Sequence, residues 1–221
     1  MKFRYLGILY IIFYFAGSQA QEVTIHSIVK PLIWLNKPYS FIENTDSSIE
    51  FSCYPRTTLF SSPLGDYSNN HSCPIFQFQP SDEFVLSAKV STPMENQWDA
   101  AQLVVWCDSA NWAKLYLEKT HYFKPIVGSI VTRNFSDDCN SEILEKPEIF
   151  LQIAKIEDCI FFYYSQDGIN WIFTRAFNFF HEKPIKIGFS CESTFNEKGN
   201  SAKFSKIKYT EKKLDDIFSG K

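Results

Sequence analysis

The sequence predicts an all-β chain, an antiparallel sandwich or barrel. Three observations carry this. Runs that alternate between apolar and polar residues recur along the chain, among them "SIEFSCY", "EFVLSAKVS", "WAKLYLE", "IFLQIAKI" and "AKFSKIKY", and a period of two marks half-buried strands. Turn-formers separate these runs at short, even intervals. Helical spacing of apolar residues is nearly absent. Composition agrees: 45% of the 221 residues are hydrophobic and 21% charged, the balance of a core-forming chain. The 22 Phe beside only 8 Gly suit broad sheets. Even spacing gives one domain over residues 25–210, with "EKKLDDIFSGK" at 211–221 as a tail or short helix.

A leader precedes that domain. Lys2 and Arg4 stand before an apolar run from Leu6 to Gly17, which closes on Ser18-Gln19-Ala20. A basic start, a short apolar stretch and small residues at its end are what a signal peptidase reads. The run is too short for the roughly 20 residues that span a bilayer. Residues 1–20 are therefore expected to be a signal peptide and the mature protein to be secreted, without a membrane span after cleavage. All six cysteines, Cys53, Cys73, Cys107, Cys139, Cys159 and Cys191, follow the leader. An even count in an oxidising compartment reads as disulfides of undetermined connectivity. Cys53 and Cys73 bracket a polar loop and are the expected local pair.

Other classes drop out. No CxxC occurs, and the four His are scattered, so neither a zinc site nor any other metal or cofactor is expected. A net charge of −3 supplies no basic footprint for nucleic acid. Asn70 and Asn134 head Asn-X-Ser sequons and would carry glycans where they face water.

Two hairpins can be registered. In "CIFFYYSQDGINWIFTRAF" the Asp167-Gly168 pair favours a two-residue turn. That turn sets Tyr164 opposite Trp171 and Phe162 opposite Phe173, with Arg175 on the same face. In "DAAQLVVWCDSANWAKLYLEK", residues 99–119, a four-residue loop at 108–111 pairs Cys107 with Trp112. One side of this hairpin then carries Val104, Trp106, Ala113, Leu115 and Leu117. The other carries Leu103, Val105, Trp112, Lys114, Tyr116 and Glu118. Aromatic bodies beside hydrogen-bonding groups are what stack on and orient sugars. The plain alternative is a solvated edge whose aromatic residues cover the rim of the core.

That hairpin, followed by "SIVTRNFSDD", "FYYSQDGINWIFTRAF" and "KIGFSCESTF", resembles the domain of unknown function 1349 family. Upstream, "WLNKP" at 34–38 resembles the family's opening segment. The resemblance implies a concanavalin A-like jelly-roll of two antiparallel sheets, one of them concave; a yeast member is named for regulation of enolase. It implies no activity, since fold alone does not license function. The chain departs from the family pattern at Ala100, Gln102 and Cys139, positions that would shape a cleft.

The same face limits the chemistry. A glycosidase needs two carboxylates across a cleft, about 5 Å apart or wider. Glu118 is the best inward candidate, with Asp99 or Asp137 as conceivable partners. Asp137 and Asp138 in "SDDCN" suit a calcium loop or a turn cap equally well. No Gly-x-Ser-x-Gly elbow exists, and "YSQDGINW" resembles an Asp-box, which is a turn. Were Asn134 turned to solvent, its neighbour Arg133 would face the other way and pair with Glu118. The expected site is thus a concave face bearing Trp112, Lys114, Tyr116, Glu118 and Arg133, with no catalytic residue. The expected function is a secreted, lectin-like domain that binds a glycan or glycoprotein. The alternatives are a protein-interaction or regulatory module, and a glycoside hydrolase acting on a polysaccharide.

Overall fold

The computed structural model describes residues 23–70, 72–179 and 181–221. The expected signal peptide lies outside the described residues. Strands β1 (Val23–Ile25), β2 (Ile28–Leu35), β3 (Ser40–Glu43) and β4 (Ile49–Cys53) open the chain. A long excursion then carries the short strands β5 (Phe60–Ser61) and β6 (Ser68–Asn69). Next come β7 (Ile75–Phe78), β8 (Phe84–Ser91), β9 (Asp99–Asp108), β10 (Asn111–Lys119), β11 (Pro125–Arg133) and β12 (Phe135–Ile143). The last five are β13 (Glu148–Ile156), β14 (Cys159–Ser165), β15 (Ile172–Asn178), β16 (Lys186–Ser193) and β17 (Asn200–Thr210).

An eight-stranded sheet runs β1-β2-β7-β16-β9-β10-β11-β12, and a seven-stranded sheet runs β15-β14-β13-β8-β17-β4-β3. Their inner faces meet in one core. Leu103, Leu115, Leu117, Val127 and Phe189 come from the first sheet; Phe51, Leu86, Ile153, Phe162 and Phe204 come from the second. The rings of Phe189 and Phe204 touch across the gap, with centroids 5.0 Å apart. Two antiparallel sheets packed face to face make this the jelly-roll sandwich that alternating strands require.

Register corrects both expected hairpins. β9 and β10 join through a two-residue turn, because Asp108 pairs with Asn111, and an irregularity then sets Trp112 opposite Trp106. Asp108 holds the turn by accepting from the Ala110 amide and the Asn111 side chain. A one-residue slip moves a whole strand to its other face. Leu103 and Val105 therefore join Leu115 in the core, while Val104 and Trp106 lie on the side of Trp112 and Lys114. The two faces of β10 itself are divided as expected.

The second hairpin is longer than a two-residue turn. Ile172 pairs with Tyr164, Phe173 with Tyr163 and Arg175 with Phe162. Asp167 organises residues 165–170, accepting from the Ile169 and Asn170 amides and from the Ser165 hydroxyl. These bonds hold its carboxyl well below the usual range. Trp171 and Phe173 accordingly belong with Tyr163 on the outer face of the seven-stranded sheet, and not with Phe162 in the core.

That outer face is covered by the C-terminal segment, which forms turns and no helix. Leu214 is buried there, the Tyr163 hydroxyl donates to the Ile217 carbonyl at 2.6 Å, and the Gln152 amide donates to the Gly220 carbonyl at 2.9 Å. The six cysteines are free thiols. Cys53 lies 3.4 Å from Cys191 on the opposite sheet. Cys73 packs instead against Trp112 on the far side of the eight-stranded sheet. The expected local pair, Cys53 with Cys73, is thus replaced by a neighbour that only the sandwich brings close.

Candidate ligand-binding cleft

The outer face of the eight-stranded sheet is built in rows across β16, β9, β10, β11 and β12. Register places Glu192, Ala100, Glu118 and Ile126 in one row, and Ser190, Gln102, Tyr116, Gly128 and Asn140 in the next. A third row holds Gly188, Val104, Lys114, Ile130 and Asp138. Small residues at 100, 128, 188 and 190 leave room between the larger side chains. Gly128 makes room for the Tyr116 ring, because a Cβ there would lie 2.4 Å from the Tyr116 hydroxyl and push the ring aside. The tyrosine ring lies flat over this glycine and donates to Asp138 Oδ1 at 2.6 Å.

Residues 54–70 cross this face as a second layer. Thr57 exchanges backbone hydrogen bonds with Ser193 at one end, and the Ser61 amide donates to the Ser136 hydroxyl at the other. Between these ties, Leu59 and Phe60 pack on Trp112, Tyr116, Ile126 and Ile130. Beside that packing the layer stands off the sheet and leaves a cleft of about 620 Å³. Lys114, Glu118, Asp138 and Glu192 line it, with Phe60, Tyr67, Trp98 and Phe195 as aromatic walls. Arg56 and Glu197, joined as an ion pair, stand among its lining residues.

The floor is electrostatically committed. Glu192 is 1% exposed, and its carboxylate accepts from Lys114 Nζ at 2.6 Å, Gln102 Nε2 at 2.8 Å, the Leu59 amide at 3.1 Å and the Thr58 hydroxyl at 3.1 Å. Burial pushes the Lys114 ammonium down, but Glu192 and Glu118 outweigh it and leave its pKa raised. Lys114 therefore remains a cation. Burial also pushes the Tyr116 phenol up, helped by Glu118 and Asp138, so it stays a hydrogen-bond donor.

Glu118 differs from these. It is 8% exposed, lines the cleft, and has no hydrogen-bond partner among the described residues. Burial raises its pKa to about 8; Lys114 opposes the shift, while Glu192 and Asp138 add to it. At neutral pH this carboxyl mostly keeps its proton.

The expected site residues divide. Lys114 and Glu118 reach the cleft. Tyr116 is buried beneath it and acts through Asp138. Trp112 is no platform: it is wholly buried under the second layer. Arg133 is a correction. It is exposed at the end of β11 and donates to the Asn178 carbonyl, because register gives the cleft face of β11 to Gly128, Ile130 and Thr132. The expected Glu118–Arg133 pair does not form.

The sequon residue Asn134 is exposed where the chain reverses, with a φ of 65°. Asn70 is half-buried, its amide on the Ser68 hydroxyl. Neither conceivable acidic partner of Glu118 serves. Asp99 is buried under the Asn96 amide and the Asn196 side chain, and Asp137 pairs with Arg175 at 2.8 Å. The carboxylates that do share the cleft are Glu192 and Asp138. A Glu in step with Gly188 and Ser190 along one strand face was the available signal for the former. Trp98, Tyr67 and Phe195 sit in loops, where no periodicity marks them. Among the described residues, no group of three His, Cys, Asp or Glu converges to hold a metal ion, and no helix is long and apolar enough to cross a membrane.

Similarity to solved structures is one of fold. A functionally unknown protein from Saccharomyces cerevisiae superposes with a TM-score of 0.72 at 19% identity, covering 81% of this chain and 95% of that one. The GH43 BlXynB protein of Bacillus licheniformis gives 0.65 at 14% identity, over 82% of this chain and 37% of its own. The Bacteroides ovatus protein described as Xyloglucan PUL GH43B gives 0.63 at 16%, over 88% and 38%. The chain thus spans little more than a third of the length of these two proteins. No curated protein matches the sequence. Residues 34–212 match the family described as Protein of unknown function (DUF1349), and the chain belongs to that family.

Proposed function

We propose that the protein binds carbohydrate, without catalysis, in the cleft between the eight-stranded sheet and the layer that crosses it. One observation carries this reading. Phe60, Tyr67, Trp98 and Phe195, from three separate segments of the chain, surround a floor of ionisable groups in a cavity of about 620 Å³. That volume is typical of small-ligand sites. Aromatic faces pack on the apolar faces of sugar rings, and a polar floor meets their hydroxyls. The fold is shared with proteins described as GH43, which is compatible with a carbohydrate role but rests on fold alone.

The way the carboxylates are used supports binding without catalysis. Hydrolysis of a glycosidic bond takes an acid and a second carboxylate that is free to attack or to activate water. Glu192 spends both oxygens on four donors, and Asp138 is engaged by the Tyr116 hydroxyl. Glu118 accepts no hydrogen bond among the described residues, and Asp138 is held at Oδ1 only.

The test is affinity electrophoresis in a panel of soluble polysaccharides, with release of reducing ends followed in parallel. Retardation by at least one polysaccharide, relieved by its free oligosaccharide and without reducing-end release, is the expected result. Tyr67→Ala with Trp98→Ala should weaken retardation about fivefold to a hundredfold, at about 0.5–1.5 kcal/mol per stacked ring. A double variant that still folds and is retarded like the parent would show that the aromatic walls take no part in binding. Reducing-end release would make the protein an enzyme that cleaves glycosidic bonds.

A further inference from the structure

Among the described residues the cleft has no cation to spare. Its lining holds two, Arg56 and Lys114, and four carboxylates, Glu118, Asp138, Glu192 and Glu197. Arg56 pairs with Glu197 and Lys114 with Glu192. Asp138, and Glu118 whenever it ionises, are left without a cationic partner. A uronate, sulfate or phosphate on the ligand would therefore meet uncompensated negative charge and find no cation to receive it. Like charges brought together in such a site repel one another.

Glu118 gives the excess charge a direction. The residue is 8% exposed, its carboxyl faces the cleft, and it accepts no hydrogen bond among the described residues. The exposure that remains at this residue opens to the cleft, where a donor on the ligand can reach the carboxyl. Of the groups around it, Lys114 attracts the carboxylate form, and Glu192 and Asp138 repel it. A cation on the ligand would supply the missing partner, and the aromatic walls would favour the same cation through their ring faces.

Resting on carbohydrate binding in this cleft, we propose that the ligand is an amino sugar with a free amine, seated as an ammonium group against Glu118. No covalent step is involved. Glu118 gives up its proton to bulk water as the ammonium pairs with it, so binding at a pH below the carboxyl's own pKa releases up to one proton. A neutral or N-acetylated sugar offers only hydroxyl or amide contacts and releases none.

Calorimetric titration of the purified protein at about pH 6, where amines are charged, tests this. Three oligosaccharide series serve as probes: glucosamine oligomers, their N-acetylated counterparts and galacturonate oligomers. The glucosamine series should bind at least about tenfold tighter than the acetylated series, a difference of about 1.4 kcal/mol. The galacturonate series should bind weakest. Because an acetyl group could also be excluded by bulk, two further readouts matter. The heat of glucosamine binding should vary with the ionisation enthalpy of the buffer, as proton release requires, and the preference should collapse to about one in Glu118→Gln. Should that variant fail to fold, the buffer dependence of the parent protein decides alone. Equal or tighter binding of the acetylated or galacturonate series, or no proton release, overturns the amino-sugar assignment and leaves carbohydrate binding standing. Binding of none of the three series, with no retardation by any polysaccharide, removes both.

Discussion

Glu118 and Lys114 sit two residues from Tyr116 on the same strand face, yet burial acts on them in opposite ways. Lys114 has a carboxylate 2.6 Å away and keeps its charge. Removing that ammonium would strand a buried anion, which costs about 3–5 kcal/mol. Lys114→Met should therefore lose about that much in urea denaturation, and adding Glu192→Leu should restore only part of it, since Thr58, Leu59 and Gln102 would then lose their acceptor. Glu118 carries a pH signature. Its pKa rises from 4.5 unfolded to about 8 folded, so between these values the folded protein binds the extra proton. Stability then falls as pH rises through that window, with a limiting slope of about 1.4 kcal/mol per pH unit. Glu118→Gln removes the dependence. Relative to the parent, the variant should gain stability from about pH 4.5 to 8 and hold a constant advantage above; thermal melts across that range that run parallel would refute the assigned burial.

At the scale of the strand, Gly128 and Tyr116 form one unit. Gly128→Ala would force the ring off β11 and break its bond to Asp138. The cost should be about 1–3 kcal/mol by overpacking, and most of it should vanish in a Tyr116→Leu background, since residues in contact do not add. Costs that sum independently in urea denaturation would show that the ring is free to move. The same strand shows what sequence periodicity can reveal. Residues 112, 114, 116 and 118 were legible as one face because alternation within a single strand needs no knowledge of its neighbours. The face of β9 was not legible, since the irregularity after Asn111 adds no apolar signal and still inverts every residue. Arg133 failed for a related reason: a glycan acceptor at a chain reversal with φ of 65° says little about the face of the residue before it. Glu192 is far from Glu118 in sequence, and only the order β16-β9-β10 makes them near neighbours.

Across the whole molecule the two sheets are dressed differently. The seven-stranded sheet is closed by the C-terminal segment, while the eight-stranded sheet is only partly roofed, by residues 54–70. The roof leaves the core at Cys53, the last residue of β4, and Cys191 precedes Glu192 on the facing sheet. Their sulfurs are 3.4 Å apart and buried. In an oxidising compartment these two thiols are placed to lose two electrons and two protons to a disulfide donor. The bond would tie the root of the roof to the strand that supplies the cleft's central carboxylate. It would close a loop of well over a hundred residues, a constraint on the unfolded chain worth about 4–5 kcal/mol in the loop-entropy account. Peptide mapping of protein secreted under oxidising conditions should return Cys53 linked to Cys191, with Cys73 unlinked to either. Cys53→Ser with Cys191→Ser should lower the melting temperature under oxidising conditions and leave it near that of the reduced parent. A Cys53–Cys73 peptide in the digest would mean that the roof folds back on β4, and the cleft beneath it would have to be redrawn.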